Sequence, residues 1–158
     1  MAQQPRQPPH IMVVEARFYQ DIADELIASV TAVLDEAGAT YERFSVPGAF
    51  ELPAAIAIAV RSMTYYTARR RYDGYIALGC VLRGETTHYD YVCQESARAL
   101  QDLAVKYALA LGYGILTCEN HAQALVRARR DGKDRGGHAA RACLSMIELK
   151  RKFHMYPR

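Results

Sequence analysis

Residues 75–91 read Tyr75-Ile76-Ala77-Leu78-Gly79-Cys80-Val81-Leu82-Arg83-Gly84-Glu85-Thr86-Thr87-His88-Tyr89-Asp90-Tyr91. The apolar run through Leu82 has the pattern of a buried strand, and a helical pattern follows the loop at once. A loop that opens a helix presents unpaired backbone N–H groups, and the helix dipole favours an anion there. Gly84 lets backbone approach a ligand closely. His88 adds an imidazole, the side chain whose ordinary pKa lies nearest neutrality. One short segment thus offers a phosphate cradle beside an acid/base group, which suggests chemistry on a small phosphorylated molecule. The same residues also fit a plain helix cap, because threonine is a good N-cap, with His88 as a packed first-turn residue. Spacing alone leaves both readings open.

Outward from this segment, strands are expected at 11–16, 41–46, 75–82 and 114–118. Between them, 21–37 places Ile22, Leu26, Val30, Val33 and Ala37 at helical spacing, with Gly38 as terminator. An alanine- and isoleucine-rich stretch at 51–63 reads as a buried helix. The longest helix is expected at 89–111, with Val92, Ser96, Ala99, Leu100, Leu103 and Tyr107 along one face. Two more are expected near 120–130 and 138–152. Alternation of this kind implies right-handed βαβ units and an α/β fold, a parallel sheet covered on both faces. Ligands in such sheets bind beyond the carboxyl ends of the strands. The motifs fall there: Arg17-Phe18, the Pro47-Gly48 turn, the Gly84 loop and Glu119-Asn120. Residues 1–9, with three of the six prolines, read as a flexible arm, and 10–158 as a single domain.

Composition excludes several classes. The net charge of +3 is too slight for a nucleic-acid protein. No run approaches the ~20 apolar residues of a membrane span. The first residues lack the apolar core of a signal peptide, so the cytoplasm is expected. The four cysteines have no C-x-x-C spacing, so no metal site is expected, and they read as small buried residues.

Other candidates carry bland alternatives. Glu51 falls at a helix start, where a carboxylate is favoured anyway. It could instead accept from ligand hydroxyls, with Ala49 and Phe50 walling a planar pocket. Phe18 fits a core position or a ring stacked on a flat heterocycle. Arg127 could bind phosphate as a fork, yet it belongs to a basic run, 127–135, that fits a solvated helix end.

Four segments together resemble the lumazine synthases: Glu15-Ala16-Arg17-Phe18; Val46-Pro47-Gly48-Ala49-Phe50-Glu51-Leu52-Pro53; 78–90; and 114–120 with Gln123-Ala124 and Arg127 behind it. The resemblance runs from about Ile11 to Phe153 and is to alphaproteobacterial members in particular. It implies a flavodoxin-like three-layer sandwich with a four-stranded parallel sheet. It implies condensation of 5-amino-6-(D-ribitylamino)uracil with 3,4-dihydroxy-2-butanone 4-phosphate to 6,7-dimethyl-8-ribityllumazine, phosphate and water, with no metal or organic cofactor.

By motif position, the resemblance puts Phe18 on the pyrimidine ring and Ala49, Phe50 and Glu51 around that substrate. Cys80, Val81 and Leu82 would pair with it largely through backbone. Glu85 and Thr86 would bind the phosphate, Arg127 would supply its counter-charge, and His88 would shuttle protons. Tyr113 stands where the family places an aromatic that reaches into the neighbouring subunit's site. Arg135 replaces a usual lysine and could still face phosphate, and His138 replaces a common acidic residue. The family implies a homopentamer with sites shared between subunits. The charged turn at 127–138 and the proline-rich arm favour a free pentamer over a larger shell. A non-catalytic flavin- or lumazine-binding paralogue and a scaffold pentamer are the rival readings.

Overall fold

The computed structural model describes residues 6–66 and 71–155. Four strands, β1 (His10–Ala16), β2 (Thr40–Val46), β3 (Gly74–Leu82) and β4 (Leu111–Cys118), form one parallel sheet in the order β2-β1-β3-β4. The helices are α1 (Gln20–Glu36), α2 (Leu52–Tyr65), α3 (His88–Tyr107), α4 (His121–Ala128) and α5 (Arg135–Lys152), with a 3-10 turn at Ala49–Glu51 leading into α2.

The period-2 alternation of a strand sends its side chains to opposite faces. Ile11, Val13, Ile76 and Leu78 join a core with α1, α4 and α5. Met12, Val14, Tyr75 and Ala77 join a second core with α2 and α3. Three layers result, as expected from the alternation of elements. Ile11, Val13, Val14, Ile76 and Leu78 are all but fully buried, each contributing roughly 1.5–3 kcal/mol of transfer free energy.

Three expected boundaries shift. The long helix stops at Tyr107, because Ala108 takes a left-handed conformation (φ 52°) and the Ala108 and Leu109 N–H groups both donate to the Ala104 carbonyl. No glycine or proline marks this stop, and the apolar Leu109-Ala110-Leu111 run continues the helical pattern. Strand β4 therefore begins at Leu111, three residues early, and takes in Tyr113. Helix α5 begins at Arg135 rather than 138, after Asp134 turns the chain at φ 46°. Gly136 and Gly137 are kept in its first turn by packing: a Cβ at 136 would lie 2.5 Å from the Leu26 carbonyl oxygen of α1.

Helix α2 is not the buried helix expected. Leu52, Pro53 and Ile56 are covered, but Ile58 on its far side is 70% exposed in the single chain.

Of the proline-rich arm, residues 1–5 lie outside the described residues. The rest runs along the fold: the Pro9 carbonyl accepts from the Thr40 N–H, Arg151 donates to the Gln7 carbonyl, and Arg6 pairs with Glu148 at 3.4 Å. No helix among the described residues is long and apolar enough to cross a membrane.

Candidate active site at the carboxyl edge of the sheet

The pairing of β3 with β4 runs to Leu82↔Cys118, and the Arg83 N–H donates to the Cys118 carbonyl at 3.0 Å. The loops after these strands therefore leave the sheet side by side. Arg83 pins them together. Its Nε donates to Glu119 at 2.8 Å, an NH group reaches Asp90 at 3.5 Å, and the guanidinium lies 4.3 Å from the Tyr89 ring centroid.

The loop this clamp holds keeps its donors open. Residues 83–88 are all exposed. The N–H groups of Gly84, Glu85, Thr86 and Thr87 find no acceptor among the described residues. The capping alternative does not consume them: Thr87 makes no side-chain cap bond, and only Thr86 Oγ1 accepts a long 3.4 Å bond from the His88 N–H. His88 is exposed rather than packed.

Gly84 is required by nothing inside the chain. Its φ is not in the left-handed region, and a Cβ would meet no atom within 4 Å. Space outside the loop is what glycine leaves there.

Phe18 follows β1 at the same edge and is 73% exposed, so it is not a core residue. Its one ring neighbour among the described residues is Tyr19, edge-on at 5.0 Å between centroids. After β2, Ala49 is buried while Phe50 is 59% exposed. Ala49 packs under the strand end, since a Cβ at Gly79 would lie 3.7 Å from its Cβ. Glu51 is exposed, with its carboxylate folded over Gly48 and no hydrogen bond or ion pair among the described residues.

Cys80, Val81 and Leu82 are half-buried at the end of β3. Burial pushes the Cys80 thiol up to about 12, so it holds its proton at neutral pH and offers no thiolate nucleophile. Cys118 and Cys143 are buried as expected, whereas Cys80 and Cys93 are only partly so.

Three expected residues make no hydrogen bond or ion pair with the Gly84 loop among the described residues. Arg127 lies in the last turn of α4, half-buried, donating to the Gln123 carbonyl at 3.0 Å. Arg135 opens α5 and is exposed. Tyr113 sits mid-strand opposite Ala77 on the edge strand β4. It is 40% exposed and lines a groove of about 710 Å³ with Leu100, Gln101, Ala104 and Met146.

Sequence reasoning missed the ion cluster below Phe18. Glu15 is 3% exposed, accepting from Arg17 at 2.8 Å and from Arg43 at 2.9 and 3.3 Å. The signal was a carboxylate at an inward position of an apolar strand. A second missed contact joins His121 to Asp21 at 2.6 Å, across the starts of α4 and α1.

An open parallel sheet with exposed aromatics, an imidazole and, among the described residues, unpaired loop donors at its carboxyl edge defines an α/β protein of the kind that binds ligands at that edge. The model of the 6,7-dimethyl-8-ribityllumazine synthase family matches residues 8–151. The 6,7-dimethyl-8-ribityllumazine synthase of Agrobacterium fabrum is 56% identical over 144 residues, 91% of this chain and 96% of that protein. 6,7-Dimethyl-8-ribityllumazine synthase 1 of Rhizobium meliloti is 58% identical over 145 residues, 92% of this chain and 94% of its own length. The corresponding synthase of Bartonella bacilliformis is 52% identical over 145 residues, 92% of each. The chain belongs to the 6,7-dimethyl-8-ribityllumazine synthase family.

Proposed function

We propose that this chain makes 6,7-dimethyl-8-ribityllumazine in riboflavin biosynthesis, condensing 5-amino-6-(D-ribitylamino)uracil with 3,4-dihydroxy-2-butanone 4-phosphate and releasing phosphate and water. The observation that carries this reading is the juxtaposition at one sheet edge of open loop donors at 84–87, His88, and the exposed rings of Phe18 and Phe50, in a chain that belongs to the family.

The residues take these roles. Phe18 stacks on the pyrimidine. Ala49 and Phe50 wall its pocket, and the free Glu51 carboxylate accepts from ribityl hydroxyls. Cys80, Val81 and Leu82 present backbone to the same ring. The N–H groups of Glu85 and Thr86 hold the phosphate, and Arg127, with Arg135 nearby, supplies the counter-charge.

An amine of the pyrimidine attacks the ketone to give an imine, phosphate leaves, and the second amine closes the ring. Each step moves a proton, which His88 gives or takes. Holding both reactants in one site removes much of the remaining barrier. Loop donors fixed on the departing phosphate stabilise its charge without reorganising.

His88→Ala is expected to lower kcat by about a hundredfold, the lower end for loss of a positioned acid/base group, because water reaches this open site. The dissociation constant of the lumazine product, read from its fluorescence, should stay within about threefold of wild type. Unchanged kcat would remove His88 from the proton transfers.

The family resemblance supports a shared-site assembly. Tyr113, Arg127 and Arg135 complete the site from an adjacent copy in a homopentamer. Exposed Ile58, Val105 and Tyr113 are apolar surface for such contacts. Sedimentation should give about five times the chain mass of 17.7 kDa. A monomer active at nanomolar concentration would contradict site sharing, and a shell would sediment far faster. Four free cysteines suit a reducing compartment, and we place the enzyme in the cytoplasm.

A further inference from the structure

The buried carboxylate below the site has a role that the proposed catalytic groups leave unassigned. Glu15 is the last charged residue of β1 and faces the α1 side of the sheet. Both oxygens are satisfied: Oε1 by Arg17 and Arg43, and Oε2 by Arg43. Such a buried charge is tolerated only when paired and hydrogen-bonded.

Arg17 then spans the strand–helix junction. One end of its guanidinium holds Glu15, the other holds Asp24 and Gln20 in α1, and Gln20 returns a 2.9 Å bond to the Arg17 carbonyl. Helix α1 has no side-chain cap at Tyr19, and these bonds tie its first turns to the end of β1.

Phe18 lies between the two anchors. With 73% of its surface exposed and one edge-on neighbour, it gains little placement from packing. Its position is inherited from the backbone on either side.

We infer that Glu15 and Arg17 are positioning residues for the pyrimidine substrate: a two-ended ion clamp built on a buried carboxylate and anchored through Arg43 to β2, which holds Phe18 at the stacking position. This rests on the assignment of Phe18 to the pyrimidine ring. The clamp's bonds run to β2 and α1, and among the described residues it makes no hydrogen bond or ion pair with the phosphate loop, so it should act on one substrate and not the other.

The test is a split in KM. Arg17→Lys keeps the charge, but an ammonium cannot fork between Glu15 and Asp24. Glu15→Gln keeps the shape and removes the charge. Both should raise KM for the pyrimidine roughly tenfold, a modest case of what misplacement of a positioning group costs. KM for the butanone phosphate should stay within about twofold, and the assembly should remain native by sedimentation.

If Glu15→Gln fails to fold, Arg17→Lys decides alone. A parallel rise in both KM values with a lowered melting temperature makes the network merely structural and overturns the inference. An unchanged pyrimidine KM overturns it too, provided Phe18→Ala weakens that substrate. If Phe18→Ala also changes nothing, the stacking assignment falls and the clamp falls with it.

Discussion

Arg127→Ala is expected to lower kcat/KM for the phosphorylated substrate by more than about a hundredfold. A guanidinium fork on phosphate makes two charge-assisted hydrogen bonds, each contributing roughly 1.5–3 kcal/mol. Losing both removes about 3 kcal/mol or more, and every 1.4 kcal/mol is a factor of ten. Among the described residues the side chain makes one bond, to the Gln123 carbonyl of α4, which leaves its other donors for an anion. The loss should fall on this substrate and spare the pyrimidine. Arg127→Lys should recover only part of it, since an ammonium is a point charge without the fork. Steady-state kinetics with each substrate varied in turn makes the check. Equal losses for both substrates would mean that Arg127 acts through assembly rather than on phosphate.

Gly112→Ala should be strongly destabilising. A Cβ at 112 would lie 2.2 Å from the Ala139 carbonyl oxygen and 2.9 Å from its carbon, and 3.3 Å from Cys143 Cβ. The first two are backbone of α5, which cannot swing aside as a flexible side-chain end can. Strand β4 or helix α5 must move, and overpacking of this kind costs about 3 kcal/mol or more. For a chain of this size that lowers the melting temperature by roughly 10 °C. Gly84→Ala is the matched control, because its Cβ meets nothing. Its melting temperature should not move even if the phosphate loop binds less well. A wild-type melting curve for Gly112→Ala would mean that α5 is not seated on β4 as described.

The fold was legible where local chemistry and long-range packing agree. The apolar run of β3 ending in a glycine loop reads as strand, loop and helix, because period, breaker and opening turn coincide. The boundary between α3 and β4 was not legible. Ala108 adopts φ 52° without the glycine that usually signals it, and Leu109-Ala110-Leu111 fits either period. Tyr113 thereby moved from a loop into a strand. Strand order rests on pairing between distant segments, which no local pattern encodes.

Within the site, Phe18, Phe50, Glu51 and His88 could be placed at one edge from element order alone. Their exposure removed the bland readings of Phe18 and His88 as packed residues. Glu15 was seen as part of a motif, but its role was not. Arg43 meets it only through the side-by-side pairing of β1 and β2, in which Arg43 stands opposite Val13, whereas Arg17 meets it two residues further along the chain. The site roles of Arg127, Arg135 and Tyr113 were read from resemblance, and among the described residues none of them bonds to the Gly84 loop.

Formation of 6,7-dimethyl-8-ribityllumazine from the two substrates, followed by fluorescence beside an enzyme-free control, tests the central claim most directly. The control subtracts any unaided condensation from the measured rate. The account predicts a rate well above background, saturable in both substrates and reduced toward the control by Arg127→Ala. A rate equal to the control, from a chain that still binds the lumazine, would contradict it and leave a binding protein in place of an enzyme.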